Sequence, residues 1–303
     1  MDLRQLKYFV AVARLLNFTK AAQELNIAQP PLSRQILLLE EELGVILIHR
    51  DVRPIKLSQA GRIFYDQALQ ILGRVETMRD STRRVGLQQN SVFSIGFVAS
   101  TLYGGLPILV RKLRKTAPEI DIRLIELFSV QQASALKEGR IDVGFGRLHP
   151  NDPHVVSTTL REERLILAVP PYSILAAEKK PITLAELSDQ TVILYPKEPR
   201  PSYADHVMAL IQSENVRPAE IMMVREIQVA LGLVSAESGV CIIPTLARQM
   251  RPDLVYRPIA SERATSPIIM NYREGDTSPN LELIRSLLRE LYEENQLCLN
   301  NSD

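Results

Sequence analysis

Phe18-Thr19-Lys20-Ala21-Ala22-Gln23-Glu24-Leu25-Asn26-Ile27-Ala28-Gln29-Pro30-Pro31-Leu32-Ser33-Arg34-Gln35 reads as two short helices joined by a tight turn. Thr19 is placed to accept from the free amides of the first helical turn, and Ala21-Ala22 are small enough for helices to approach closely. Leu25 completes that helix's apolar face, and Asn26 suits the turn. Pro30 fits the first turn of the second helix, where its missing N–H costs nothing. Leu32, Ile36, Leu39 and Leu43 recur at helical spacing and predict one buried stripe. Ser33, Arg34 and Gln35 lie off that stripe near the helix start. A helix-turn-helix has this arrangement, with base-edge donors on the first turns of its second helix.

Upstream, Leu3, Leu6, Phe9, Val10 and Ala13 predict an amphipathic helix; downstream, Gly44 suits a helix C-cap. Two β-rich pieces flank Arg53-Pro54 and predict a hairpin wing, which makes Arg53 and Lys56 either backbone or minor-groove contacts or merely solvated turn residues. Beyond the wing, Ser58-Gln59-Ala60-Gly61 opens a helix. Its Phe64, Ala68, Ile71, Val75, Met78, Thr82 and Val85 alternate spacings of four and three, a heptad seam. Such a seam predicts a two-stranded contact between copies of the chain, with packing against its own body as the alternative. The polar run Gly86 to Ser91 ends this helix as a linker.

The 303-residue length calls for two or three domains, and 46% hydrophobic with 23% charged residues is an ordinary globular composition. No apolar run is long enough to cross a membrane, and Met1 to Lys7 lacks the apolar core of a signal peptide, so a cytoplasmic location is expected. Cys241 and Cys298, with four scattered histidines, indicate neither a disulfide framework nor a metal site. Residues 1–90 hold 13 Lys and Arg against 9 Asp and Glu, a balance of +4, whereas the remainder is −3. A basic head on an acidic body fits nucleic-acid contact through the head.

From Phe93 onward, strand and helix patterns alternate, predicting parallel sheets covered by helices and arranged as two lobes. Ligands of open α/β sheets bind beyond the carboxyl ends of the strands. Applied here, that rule gathers Ser100 and Thr101, Ser129, and Arg147 from three successive strand ends: hydroxyls and a guanidinium suited to a carboxylate. A second lobe would add Pro201, Ser202 and Tyr203 at one helix start and Gln228 at another. Arg225 beside Glu226 reads as a neutralised surface or hinge pair rather than a ligand contact.

Residues 1–61 resemble the N-terminal domain of LysR-type transcriptional regulators. The resemblance is carried by Leu6-Lys7-Tyr8-Phe9, Phe18-Thr19-Lys20-Ala21-Ala22, Gln29-Pro30-Pro31-Leu32-Ser33-Arg34-Gln35-Ile36, Leu39-Glu40-Glu41-Glu42-Leu43-Gly44 and Leu57-Ser58-Gln59-Ala60-Gly61. It implies a winged helix-turn-helix, a long dimerising linker helix, and a two-lobed α/β effector domain of periplasmic-binding-protein type, usually in a tetramer. The corresponding ranges are 1–58, 59–90 and 91–303, with lobe I about 91–162 and 267–303 and lobe II about 163–266. The expected DNA contacts are Thr19, Gln29, Pro30, Pro31, Ser33 and Arg34, with Arg53 and Lys56 in the wing. Leu37-Leu38 depart from the family, whose members often carry polar or basic residues there.

The segments around Ala99 to Pro107, Ala135 to Arg147 and Leu194 to Val207 are similar to regulators of catechol and benzoate degradation, which respond to cis,cis-muconate. That similarity implies effector contacts at Ser100, Ser129, Arg147 and Tyr203, and a second, buried site at Arg161 and Glu163. Expected partners are promoter DNA, a small carboxylate, further copies of the chain and RNA polymerase; no cofactor and no metal are expected. No nucleophile elbow, phosphate loop or dinucleotide fingerprint is present. A regulator, expected to activate, is therefore the leading reading; another aromatic-acid effector, or a dehydratase-like enzyme on a solute-binding fold, are the alternatives.

Overall fold

The structure is a computed structural model that describes residues 1–52, 54–86, 91–177 and 180–293. Two compact units emerge: Met1–Ser91 with the short piece Lys137–Arg140, and Val92–Leu136 with Ile141–Asp303.

The first unit begins with α1 (Leu3–Leu15), α2 (Phe18–Glu24) and α3 (Gln29–Leu43). Phe9, Val12, Ala21, Leu32, Ile36 and Leu39 are almost completely buried and form its core. The apolar stripe ends there, because Leu43 at the last turn of α3 is 38% exposed. Asn26 adopts the left-handed conformation that the turn requires. Asn17, not Thr19, caps α2: its side chain accepts from the Lys20 amide at 3.0 Å. The helix starts at Phe18, two residues earlier than a Thr19 cap needs, which leaves the Thr19 hydroxyl to donate to Gln29 Oε1 at 3.2 Å. Gly44 closes α3 with φ +69, a conformation that costs a side-chain-bearing residue.

The wing is a minimal antiparallel pair, β1 (Ile48–His49) and β2 (Lys56–Leu57). It leads into α4 (Gln59–Gly86), whose start is fastened by Ser58: Ser58 Oγ donates to Ile46 O and accepts from Gly61 N. A Cβ on Gly61 would lie 2.1 Å from Leu47 O, so only glycine lets α4 pass this close to the wing. Phe64 stacks edge-on against Phe9 of its own unit, with centroids 5.0 Å apart. The predicted seam is thus divided. Phe64 serves the home core and Ala68 is buried, while Ile71, Met78 and Thr82 stay exposed. The Val85 side chain and the hinge at 87–90 lie outside the described residues.

The second unit contains β3 (Ser91–Phe97), a 3-10 turn Ala99–Tyr103, α5 (Leu106–Thr116), β4 (Ile120–Glu126), α6 (Ser129–Lys137) and β5 (Val143–Gly146). There follow β6 (Val155–Val169), α7 (Ile174–Ala177), β7 (Thr191–Leu194), α8 (Tyr203–Ser213), β8 (Glu220–Met223), α9 (Ile227–Ser235), β9 (Cys241–Pro244), β10 (Val255–Pro258), β11 (Thr265–Arg273) and α10 (Pro279–Glu293). Two cores divide it into lobes. Phe93, Ile95, Leu109, Leu113, Ile284 and Leu288 belong to one; Leu167, Val192, Ile193, Ala204, Leu231 and Ile243 belong to the other.

The main sheet runs β10-β6-β11-β5-β3-β4, with β9 also on β6, and β7 pairs with β8 beside it. Parallel pairing holds for β3–β5 and β7–β8 only in part of the unit; β6 is antiparallel to β9, β10 and β11, and β11 to β5. The expectation of parallel sheets thus holds for these pairs, while β6 and β11 make the main sheet a mixed one. The cause is the length of β6, which leaves one lobe and enters the other, so that β11 must return beside it in the opposite sense. A register shift between Ile268 and Ile269 interrupts that pairing midway.

Candidate functional site

In the head, Leu32, Ile36 and Leu39 fix which face of α3 is turned inward, and the opposite face is therefore free. Gln29, Pro30, Pro31 and Arg34 are exposed and Ser33 is half-buried, which gathers hydroxyl, amide and guanidinium donors on the first turns of α3. Arg34 is able to grip a guanine edge with two parallel hydrogen bonds. Thr19 and Gln29 are linked to each other across the turn. Lys56 is exposed on the wing, and Arg53 lies outside the described residues. Leu37 and Leu38 are 43% and 41% exposed and offer no charge to a phosphate.

One residue fixes the wing to α3. Glu40 Oε1 accepts from the backbone amides of Leu47 and Ile48 at 2.8 and 3.0 Å, and its Oε2 accepts from Arg50 Nη2 at 2.7 Å. Arg50 in turn lies over the Phe18 ring, 5.4 Å from its centroid. In the sequence Glu40 is marked only by its place, an acidic residue one turn before a helix-ending glycine and ahead of a β-rich run.

In the body, a cleft of about 450 Å³ opens between the lobes, lined by Ser100, Phe128, Ser129 and Arg147 from one side and Tyr195, Pro201, Ser202 and Tyr203 from the other. Arg147 is its centre. Its Nε donates to Ser100 Oγ at 2.7 Å and its Nη2 to Glu163 Oε2 at 2.6 Å, while its main-chain N–H donates to Ser129 Oγ at 3.0 Å. Arg147 and Glu163 are each only 5% exposed. Glu163 also accepts from the Leu246 amide at 3.0 Å. The remaining guanidinium nitrogen, Nη1, has no acceptor among the described residues.

The sequence rule for strand ends thus brings Ser100, Ser129 and Arg147 together, but not Thr101. Thr101 is buried and donates to Val98 O at 2.8 Å. The 3-10 turn explains the split, since successive side chains there point about 120° apart. Ser202 caps α8 in a mutual arrangement with Asp205 and donates to Pro196 O, so its hydroxyl is occupied. Gln228, Arg225 and Glu226 line the cleft from exposed positions at and before the start of α9.

Tyr195, overlooked in the sequence, stands beside Tyr203 with ring centroids 5.2 Å apart. Burial pushes both phenols well above their ordinary range, with the Arg147 charge acting in the opposite sense. A second cavity, of about 30 Å³, is lined by Thr101, Phe145, Leu160, Arg161 and Tyr292. Glu163 does not line it and turns to Arg147.

β5 is held from beneath by a buried polar chain. Ser157 Oγ donates to Asn271, Asn271 Nδ2 to Gln132 Oε1, and Gln132 Nε2 to Phe145 O. Gly144 and Gly146 make room for it: a Cβ on either would meet Gln132 or Ser129 at 2.5 and 2.9 Å.

A head that presents base-edge donors and a body with a charged interlobe cleft define a DNA-binding protein under small-molecule control. Residues 3–62 match the bacterial regulatory helix-turn-helix protein of the lysR family, and residues 87–293 match the LysR substrate binding domain. The chain belongs to the LysR family of transcriptional regulators. It is 58% identical over 299 residues to the probable cat1 operon transcriptional activator of Acinetobacter lwoffii, covering 99% of each chain. Its body is similar to the BenM effector binding domain with its effector benzoate: 36% identity, 69% of this chain and 95% of that one, TM-score 0.66. The full-length CbnR structure complexed with its target DNA covers 96% of this chain and 99% of its own, at 32% identity and TM-score 0.62.

These relatives bear out the family reading, its aromatic-catabolism subgroup and the overall fold, and they set the enzyme alternative aside. Among the described residues no helix is long and apolar enough to cross a membrane.

Proposed function

We propose that this regulator activates an operon for degradation of an aromatic compound when a small unsaturated dicarboxylate, such as cis,cis-muconate, binds between its lobes. The observation that carries the reading is Arg147, a buried guanidinium at the cleft with Ser100 and Ser129 around it and Nη1 unpaired among the described residues. A buried cation with spare hydrogen-bonding capacity selects an anion with planar acceptor geometry. The activator from Acinetobacter lwoffii supports the direction of control, and the benzoate bound by BenM supports the effector's class.

Regulation then follows from linkage. The effector favours one arrangement of the lobes by no more than its difference in affinity for the two. The exposed Ile71, Met78 and Thr82 pair two linker helices, further contacts complete a tetramer, and RNA polymerase is the partner at the promoter. Calorimetry of the full chain against cis,cis-muconate, chloromuconates, benzoate and catechol tests this. Tightest binding of muconate, with a muconate-dependent change in the promoter footprint, is expected. Binding of catechol alone would overturn the dicarboxylate reading.

A further inference from the structure

We propose that Tyr195 is the second anchor of the effector's carboxylate, sharing its two oxygens with Arg147. The inference rests on the reading that the cleft takes a carboxylate. Tyr195 directly follows β7 in one lobe; Arg147 directly follows β5 in the other; both line the same cleft.

Each keeps a buried hydrogen-bonding atom that meets no partner in good hydrogen-bonding geometry among the described residues, Arg147 Nη1 and Tyr195 Oη, the latter having only a weak contact with the Tyr203 phenol. Buried polar atoms are nearly always satisfied, so two orphans bordering one cleft mark a ligand position. The neighbouring groups are already occupied. Ser100 and Glu163 accept from Arg147, Ser202 caps α8, and Tyr203 donates to Ile242 O at 3.4 Å. With Tyr203 turned to Ile242 O, Tyr195 is the phenol that can turn its hydroxyl to a ligand, and it is 8% exposed. The Arg147 charge lies close enough to act on this phenol. A guanidinium N–H and a phenol O–H together call for one group with two acceptor oxygens and no protons of its own, which an anionic carboxylate supplies, whereas a neutral catechol carries a proton on each oxygen.

The placement has a consequence for control. Ser100, Ser129 and Arg147 all stand on one lobe, and a ligand held by them alone would not distinguish open from closed lobes. Tyr195 brings the other lobe to the same carboxylate and so converts binding into closure.

The test is calorimetry of the full chain with cis,cis-muconate and with benzoate, comparing wild type, Tyr195→Phe and Tyr203→Phe, together with thermal melting without effector. Tyr195→Phe should weaken binding by about ten- to a hundredfold, the loss of one hydrogen bond to a charged group. Its melting temperature without effector should change little, because the hydroxyl removed has only a weak contact with the Tyr203 phenol among the described residues. Tyr203→Phe should weaken binding less. Equal affinity in wild type and Tyr195→Phe overturns the inference while leaving the carboxylate reading intact. A lowered melting temperature in Tyr195→Phe overturns it by showing a structural role. If neither carboxylate binds wild type, the carboxylate reading fails and takes this inference with it.

Discussion

Arg147 and Glu163 meet as a buried ion pair, Nη2 to Oε2 at 2.6 Å, and Glu163 extends the link to the Leu246 amide. Removing either charge alone strands the other in a poorly solvated interior, a cost of about 3–5 kcal/mol. Arg147→Met is therefore expected to lower stability as well as abolish the effector response. Arg147→Met with Glu163→Leu should recover much of the stability and none of the response. Urea denaturation of the two variants, beside effector titration, checks this; stability unchanged in the single variant would sink the argument.

Glu40 collects three hydrogen bonds at the junction of α3 and the wing, two from backbone amides and one from Arg50. Glu40→Ala leaves the Leu47 and Ile48 amides unpaired, at about 1–3 kcal/mol for each buried group. Reduced thermal stability of the head and weaker operator binding are expected in gel-shift titrations, although Glu40 need not touch DNA.

Arg34 and Lys56 should behave differently toward DNA. Arg34→Ala is expected to cost about 1–3 kcal/mol of operator affinity and to relax selectivity at one base position. Lys56→Ala should weaken binding to all sequences alike and reduce the salt dependence by about one counterion. Binding isotherms on operator and scrambled duplex at several salt concentrations separate the two patterns.

Tyr195 and Tyr203 tie stability to alkaline pH. Their folded phenols are held well above 10 by burial, whereas in the unfolded chain they ionise near 10. The folded state then binds more protons, so stability is fully present below pH 10 and declines as pH rises above it. The slope is about 1.4 kcal/mol per pH unit for each tyrosine. Urea midpoints measured from pH 9 to 11 should fall, and Tyr195→Phe should reduce that fall by one tyrosine's share.

What was legible in the sequence followed periodicity and turn chemistry. Leu32, Ile36 and Leu39 declare the inward face of α3 because helical spacing leaves no other arrangement, and Asn26 and Gly44 mark its limits. The first half of β6 was not legible: Ser157 to Arg164 is polar on both faces apart from Leu160, and its strand character comes from pairing with β11, more than a hundred residues away in the chain. Ser100, Ser129 and Arg147 were found because strand ends converge in α/β sheets. Tyr195 was missed because an unpaired hydroxyl is a property of surroundings, not of composition. Thr19 and Thr101 were misplaced for local reasons, a helix that starts two residues earlier and a 3-10 turn that points Thr101 inward.

The route of β6 outward and β11 back means that one lobe is written into the chain as an insertion within the other. Its host lobe needs α10 to complete its core, through Leu281, Ile284, Leu287, Leu288 and Leu291. The DNA-reading core, by contrast, is assembled from residues 6–65. During synthesis the reader therefore has all its parts some two hundred residues before its regulator does. A message cut short within the body is expected to yield a chain that still occupies operators but no longer answers to any effector, competing with the intact protein rather than merely replacing it.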